Sequence, residues 1–134
     1  MTDVPPVEQI VHVAEFRAAL RSFLRRSEKI AQAAGLTPQR YLLLLMIKGA
    51  ADQREWSTVT ELSERLQLAQ STVTELVRRA EEVGLLEREQ SEEDGRVAHL
   101  RLTDEGEDRL ARAFTDLAEE RRELRDAFAH LDEP

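Results

Sequence analysis

The feature that most constrains this chain is one uninterrupted block at residues 58–102, TVTELSERLQLAQSTVTELVRRAEEVGLLEREQSEEDGRVAHLRL. In its first part, apolar residues recur every three or four positions on both sides of a short turn, a spacing typical of two amphipathic helices. Its second part contains two alternating runs on either side of Asp94-Gly95, as in a β-hairpin. The block therefore predicts a mainly α fold with a small β-hairpin, of the α+β class.

The limits of the two helices can be predicted from local signals. Thr58 and Glu61 form a T-x-x-E capping box that opens the first helix, and a turn is expected at residues 68–70. The second helix is predicted over residues 71–83, with Gly84 as its C-terminal cap. Its inward stripe is Val73, Leu76, Val77, Ala80 and Val83. Its outward face is then Ser71, Thr72, Thr74, Glu75, Arg78, Arg79 and Glu82.

The flanking segments predict further helices. Residues 7–34 carry an apolar stripe at helical spacing, and residues 103–131 carry another, near heptad spacing, after the capping residue Thr103. Between them, Thr37-Pro38 opens a helix whose segment YLLLLMI at residues 41–47 is apolar on all sides, so we expect it in the core. Strands are predicted at residues 85–89 and 97–102, and a loop at residues 51–55.

Composition argues against an enzyme and against a metal site. The 134 residues suit a single domain, and they include no cysteine and three scattered histidines, His12, His99 and His130. No metal-ligand cluster, phosphate-cradling glycine loop or nucleophile–base pair is visible, so we expect neither catalysis nor a cofactor. Without a signal segment or a long apolar run, we expect a cytoplasmic protein that does not enter the membrane.

The charge of the chain is unevenly distributed. The formal net charge is −8, and residues 57–102 hold six basic against ten acidic residues. Affinity for DNA of any sequence comes from neutralising phosphates. Nucleic-acid binding by this block would therefore depend on a few well-placed arginines, and its affinity for random DNA should be modest.

Taken together, these residues resemble the MarR-type transcriptional regulators, which are dimeric winged helix-turn-helix proteins. The resemblance covers roughly residues 8–118. It rests on GLTPQRYLLLLMI, on ELSERLQLAQSTVTELVRRAEEVGLLER, and on D-G-R followed by LTDEG. It implies one domain over residues 1–134, with dimerisation helices at 7–34 and 103–131 and a DNA-binding winged helix-turn-helix at 56–102.

The resemblance also assigns roles to individual residues. It places Ser71, Thr72 and Thr74 where similar proteins contact phosphates and base edges. Arg96 falls at the wing-tip position that enters the minor groove, and Asp94 at the carboxylate that orients it. Three further residues are candidates because of their side-chain chemistry. Gln70 can pair with adenine, and Arg78 and Arg79 can reach phosphates.

Two positions depart from the family pattern. Glu75 stands where a basic or amide residue is common, and its carboxylate would repel phosphate but can accept a hydrogen bond from cytosine N4. Ala69 stands where a capping Ser or Asp is common, so the second helix must use Gln70 or Ser71 as its cap or have none.

The function implied is a homodimeric, sequence-specific regulator, with repression of a pseudo-palindromic operator on double-stranded DNA as the expected activity. The family habit of binding a small-molecule effector between the dimerisation helices and the DNA-binding region makes Tyr41, Met46 and Trp56 candidates for an effector cleft, although residues of these types more often belong to the core. The alternative, favoured by the acidic block and by Glu75, is a winged-helix protein-interaction module that does not bind DNA.

Overall fold

Residues 3–132, which the computed structural model describes, form six α-helices and one three-stranded antiparallel sheet. In chain order the elements are α1 (Val7–Ala33), α2 (Pro38–Lys48), β1 (Trp56–Ser57), α3 (Val59–Leu66), α4 (Gln70–Glu82), β2 (Leu86–Gln90), β3 (Ala98–Leu102), α5 (Asp104–Asp116) and α6 (Ala118–Ala129). The predicted mainly α class with a small hairpin is confirmed. Within the described residues, no helix is both long and apolar enough to span a lipid bilayer.

The core is centred on α2, as its apolar sequence predicted. Leu43, Leu44 and Ile47 are fully buried, and Thr37 caps the helix by accepting a hydrogen bond from the Arg40 amide at 3.1 Å. Around α2 lie apolar residues contributed by each of the other layers. These are Ala31, Leu62, Val73, Val77, Leu85, Leu100, Leu110, Ala113 and Leu117. Burying so many large aliphatic side chains, at roughly 1.5–3 kcal/mol each, accounts for the stability of a chain without disulfides.

The last helical segment is interrupted, contrary to the prediction of one continuous helix over residues 103–131. It is divided into α5 and α6 at Leu117, which is fully buried. The Phe114 carbonyl accepts a hydrogen bond from Arg121 Nη1 at 2.6 Å and one from the Leu117 amide at 3.3 Å. An inserted side chain is a recognised cause of helix kinks, and nothing in the apolar spacing reveals it.

Helix α6 packs against α1 of the same chain. The rings of Phe16 and Phe128 meet edge to face with centroids 5.9 Å apart, and Arg26 lies 3.6 Å from Glu120. Part of the apolar stripe of the C-terminal segment thus packs against α1 of the same chain. This contact holds α1 beside the end of the chain.

The sheet contains one more strand than the sequence predicted. Strand β1 pairs with β3 in the register Trp56 to Arg101, while β2 pairs with β3 from Leu86–Leu102 to Gln90–Ala98. A strand of two residues is too short to show any periodicity. The sheet order β1-β3-β2 places β3 in the centre, where Leu100 and Leu102 are buried.

The LTDEG motif joins the sheet to α5. The side-chain oxygen of Thr103 accepts a hydrogen bond from the Gly106 amide at 3.2 Å, which caps α5, and its hydroxyl donates to the Gly84 carbonyl at 2.5 Å. A Cβ atom at Gly106 would lie 2.2 Å from the Leu85 carbonyl oxygen. Glycine is therefore required for α5 to approach the start of β2 this closely.

The segment between α2 and α3, predicted as a loop, contains a short 3-10 turn at Ala51–Gln53. Asp52, Gln53 and Glu55 all have positive φ, between 57° and 67°. Such conformations are uncommon for residues other than glycine. Ion pairs from Lys48 to Glu55 and from Arg54 to Glu61 hold the segment against the adjoining helices.

Candidate nucleic-acid interface

Helices α3 and α4 form the predicted helix-turn-helix. The Thr58 side chain accepts a hydrogen bond from the Glu61 amide at 3.2 Å and donates to the Glu61 carboxylate at 2.9 Å, so the predicted cap is present. Gln67 adopts a left-handed conformation at the turn, and Ser63 Oγ donates to the Leu68 carbonyl at 2.6 Å. The turn is therefore held by the conformation of Gln67 and by the hydrogen bond from Ser63 on α3.

Helix α4 directs one face into the core and the other into solvent. Val73, Val77 and Ala80 are fully buried, as predicted for the inward stripe. The prediction was wrong for Val83, which follows the last residue of α4 and is 48% exposed. The helix begins at Gln70, and among the described residues no side chain caps it at Ala69. Of the two arrangements expected at Ala69, the structure adopts the uncapped one, which leaves the first backbone N–H groups of α4 without a side-chain acceptor.

The neutral residues predicted to read DNA lie together at the start of α4. Ser71, Thr72 and Thr74 are all exposed, and their hydroxyls can donate or accept. Gln70 Nε2 lies 3.4 Å from Thr60 Oγ1, a long contact that links α4 to α3. These side chains present hydrogen-bonding groups without any formal charge.

The charged residues further along α4 form one connected cluster. Arg78 donates to both oxygens of Glu75, from Nε at 3.0 Å and from Nη2 at 2.5 Å. Arg79 Nε donates to the same carboxylate at 3.0 Å. Arg78 also pairs with Glu82. On the outward face, two arginines are thus balanced by two glutamates, and Glu75 holds both arginines.

Hydrogen bonds from Arg78, and then from Arg79, lower the pKa of Glu75 to about 2 from its ordinary value of 4.5. The same interaction with Glu75 raises the pKa of Arg78. Opposite charges within hydrogen-bond distance favour the ionised forms of both partners. Glu75 is consequently an anion at neutral pH.

The wing tip has a different arrangement. The Arg96 side chain is 95% exposed, and its Nε lies 3.5 Å from Asp94 Oδ1. The same oxygen accepts a hydrogen bond from the Arg96 amide at 3.1 Å, while the Val97 amide donates to the Asp94 carbonyl at 2.9 Å. Asp94 therefore shapes the backbone at the tip and leaves the guanidinium extended into solvent.

Three contacts that the sequence did not reveal involve α4, the sheet and the segment before β1. Arg88 on β2 donates to Glu81 on α4 from Nη2 at 2.5 Å. Trp56 stacks on His99 with ring centroids 3.6 Å apart, and the Arg54 guanidinium lies 4.1 Å from the Trp56 ring centroid. These pairs join residues from different elements, and no local pattern signals them.

The three residues considered for an effector cleft are not gathered at one cavity. Tyr41 is buried and lines a cavity of about 140 Å³ between α1 and α2, with Leu24 and Pro38. Trp56 lines a separate cavity of about 370 Å³ at the wing, and Met46 packs partly buried against the core. Burial raises the pKa of Tyr41. Over residues 3–132, no group of three or more His, Asp or Glu side chains is placed to hold a metal ion.

Comparison with known proteins agrees with this architecture. The model of the family described as "MarR family" matches residues 34–97. The organic hydroperoxide resistance transcriptional regulator of Bacillus subtilis is 32% identical over 89 residues, which are 66% of this chain and 58% of that protein. The chain thus spans less than two thirds of that relative. An uncharacterized HTH-type transcriptional regulator of B. subtilis, YsmB, is 29% identical over 121 residues, 87% of this chain and 80% of that protein.

A solved structure of an E. coli MarR mutant complexed with operator DNA has a TM-score of 0.70 and 20% identity, covering 87% of this chain and 84% of that one. Such a likeness establishes the fold. The two helices, the turn and the three-stranded wing make the chain a winged helix-turn-helix protein. The family match, to the MarR family, runs through the helix-turn-helix, and both B. subtilis relatives are named as transcriptional regulators.

Proposed function

We propose that this chain is a homodimeric transcriptional regulator that binds a pseudo-palindromic operator and represses transcription from it. The observation that carries the proposal is the division of α4 between a buried apolar face and an exposed row of hydroxyls, Ser71, Thr72 and Thr74. The wing adds an extended Arg96. A helix in the major groove with a basic wing tip in the adjacent minor groove is a recurrent mode of DNA recognition.

Support for a dimer comes from apolar surface near the ends of the chain. Val7, Ile10, Val11 and Val13 on α1 are 45% to 66% exposed, and Phe128 on α6 is 63% exposed. Apolar residues concentrated on one surface mark protein interfaces. We propose that a second copy of the chain covers this surface; to read a palindromic site, the dimer would have to hold its two α4 helices about one DNA turn apart.

An effector site is proposed at the cavity beside Tyr41. Its volume of about 140 Å³ is smaller than a typical drug-sized pocket of roughly 300–1,000 Å³, so a ligand would need to be small or to use surface from the second subunit. Such a ligand would release DNA only if it bound the DNA-free state more tightly than the DNA-bound state.

The proposal is tested by selecting binding sites from a random duplex pool and measuring the mass of the free protein and of its complex. We expect an inverted repeat, and two chains bound per site. Selection of no repeat, together with retention of a protein partner, would instead support the interaction module that the acidic charge of residues 57–102 allows.

A further inference from the structure

The inference concerns Glu75 and rests on the proposed DNA-binding function. We propose that Glu75 is a specificity-determining residue that suppresses binding to random DNA by holding Arg78 and Arg79 on the recognition helix. The two arginines are then withheld from phosphates on any sequence, and the neutral hydroxyls and the wing must supply the binding energy for the operator.

The contacts support this role directly. One carboxylate receives three hydrogen bonds from two guanidinium groups, at 3.0, 2.5 and 3.0 Å. Glu75 lies one turn before both arginines, so the three side chains can meet without distorting the helix. Glu82 pairs with Arg78 only, from the other side.

Charge balance explains why DNA of arbitrary sequence gains little from this face. Glu75, Arg78, Arg79 and Glu82 together have no net charge, whereas affinity for random DNA increases with the number of phosphates that cations neutralise. Exposed ion pairs are individually weak, so the arginines can leave Glu75. If they do, the ionised carboxylate of Glu75 remains near the phosphates, and its repulsion offsets the affinity that the arginines add.

The acid form of Glu75 provides no alternative. An ordinary glutamate pKa already lies well below neutral pH, and the hydrogen bonds from Arg78 and Arg79 lower it further, so the carboxylate is charged whether or not the arginines hold it. A base edge can stabilise it only by offering an amino donor, such as cytosine N4. Glu75 thus weakens random binding and restricts which bases are tolerated.

The test compares E75Q with E82Q. Both substitutions remove one negative charge from the same face of α4. E75Q releases Arg79 and leaves Arg78 with Glu82 alone, whereas E82Q leaves both arginines on Glu75. We expect E75Q to bind a random duplex roughly ten-fold more tightly at low salt, with a salt slope steeper by about one to two. We expect E82Q to change random-duplex affinity by about two-fold, since Glu75 still holds Arg78 and Arg79.

Two further measurements separate release of the arginines from a general charge effect. In the E75Q background, replacing Arg79 by Ala should remove most of the gain, whereas R79A alone should have little effect on random DNA. The ratio of operator affinity to random-duplex affinity should fall in E75Q. Thermal unfolding of each variant confirms that the fold is retained.

Equal gains in E75Q and E82Q would overturn the inference, as would random-duplex binding that E75Q leaves unchanged or weakens. Failure of the proposed function is distinguishable, because the wild-type protein would then select no operator in the first place. If the wild-type protein selects an operator but E75Q does not bind random DNA more tightly, the role inferred for Glu75 is disproved and the proposed DNA-binding function stands.

Discussion

Helix α4 and the wing tip of this protein both carry arginine beside a carboxylate, but the contacts between the two groups differ. On α4, Glu75 takes three hydrogen bonds from the side chains of Arg78 and Arg79. At the wing tip, Asp94 is engaged by the backbone of Arg96, and the guanidinium extends into solvent. The charged cluster on α4 is therefore neutral and internally paired, whereas the wing tip presents one exposed cation beside the acidic residues Glu92, Glu93 and Asp94.

This difference bears on how an acidic protein would bind DNA under the proposed function. In that proposal, Arg96 at the wing would reach a phosphate or the minor groove, and the uncharged hydroxyls of α4 would face the bases. Affinity and base recognition would then depend on different elements, each of which can be altered separately. The predictions below test that division, beginning with the support shared by both regions.

The largest effect is expected from Gly106→Ala. The added Cβ would meet the Leu85 carbonyl oxygen at 2.2 Å, and Leu85 lies between α4 and β2, so both regions would be displaced together. Overpacking against backbone should lower the free energy of unfolding by about 2–3 kcal/mol, measured by urea denaturation. Gly95→Ala, where an added Cβ meets nothing within 4 Å, is the control and should be nearly neutral. Equal stability of the two variants would contradict the packing assigned to Gly106.

Next in size is the difference between Arg96→Ala and Arg79→Ala. Both remove one exposed arginine, but Arg79 Nε donates to Glu75 at 3.0 Å, whereas Arg96 Nε lies 3.5 Å from Asp94 Oδ1 and the Arg96 side chain is 95% exposed. We expect Arg96→Ala to weaken operator binding roughly ten-fold and to reduce the salt slope by about one, and Arg79→Ala to change affinity by no more than about two-fold. Fluorescence anisotropy over a salt series measures both, and equal losses would remove the distinction between wing and helix.

A smaller effect, with a diagnostic sign, is expected from Asp94→Ala. Loss of a negative charge would by itself strengthen DNA binding, but Asp94 Oδ1 also accepts the Arg96 amide hydrogen bond at 3.1 Å and shapes the tip. We expect operator affinity to fall by about two- to five-fold because Arg96 is no longer positioned. Glu93→Ala removes the same charge at the adjacent residue and should leave affinity unchanged or slightly higher. An increase in both variants would show that Asp94 acts only through its charge.

The smallest effect is the pH dependence of the α4 cluster. The pKa of Glu75 is lowered to about 2 in the folded protein from 4.5, so its contribution to stability is present above about pH 4.5 and disappears as the pH falls towards 2. The difference in melting temperature between the wild-type protein and Glu75→Gln should therefore be constant above pH 5 and shrink below it. Carbon-detected NMR of the Glu75 carboxyl should give a midpoint near pH 2, and a midpoint near 4.5 would show that the arginines do not hold it.

Much of the fold could be predicted because its signals are local. Thr37, Thr58 and Thr103 all cap helices as expected, and α4 and the two predicted strands differ from prediction by about one residue at each end. Caps and apolar stripes depend on residues three or four positions apart, which the chain itself displays. The roles of the candidate DNA-contacting residues remain predictions.

The structure differs from the sequence-based predictions mainly where residues from separate elements come into contact. Strand β1 exists because two residues pair with β3, and the break at Leu117 coincides with the Arg121 side chain bonding to the Phe114 carbonyl. Tyr41 and Trp56, considered together for one cleft, line different cavities. Sequence spacing contains no information about such encounters, since each depends on how several elements pack.

The sequence by itself determined the helix-turn-helix, the hairpin and the residues exposed on α4, because side-chain periodicity follows from backbone geometry. Only the tertiary structure decided that β1 joins the sheet and that Arg88 on β2 pairs with Glu81 on α4, because each contact depends on how separate elements pack. The outward charges of both regions are visible in the sequence: two basic against two acidic residues in the α4 cluster, and one basic against three acidic residues at positions 92–96. Which of them are mutually engaged depends on side-chain positions in three dimensions, where differences of about an ångström separate a hydrogen-bonded pair from a solvated cation.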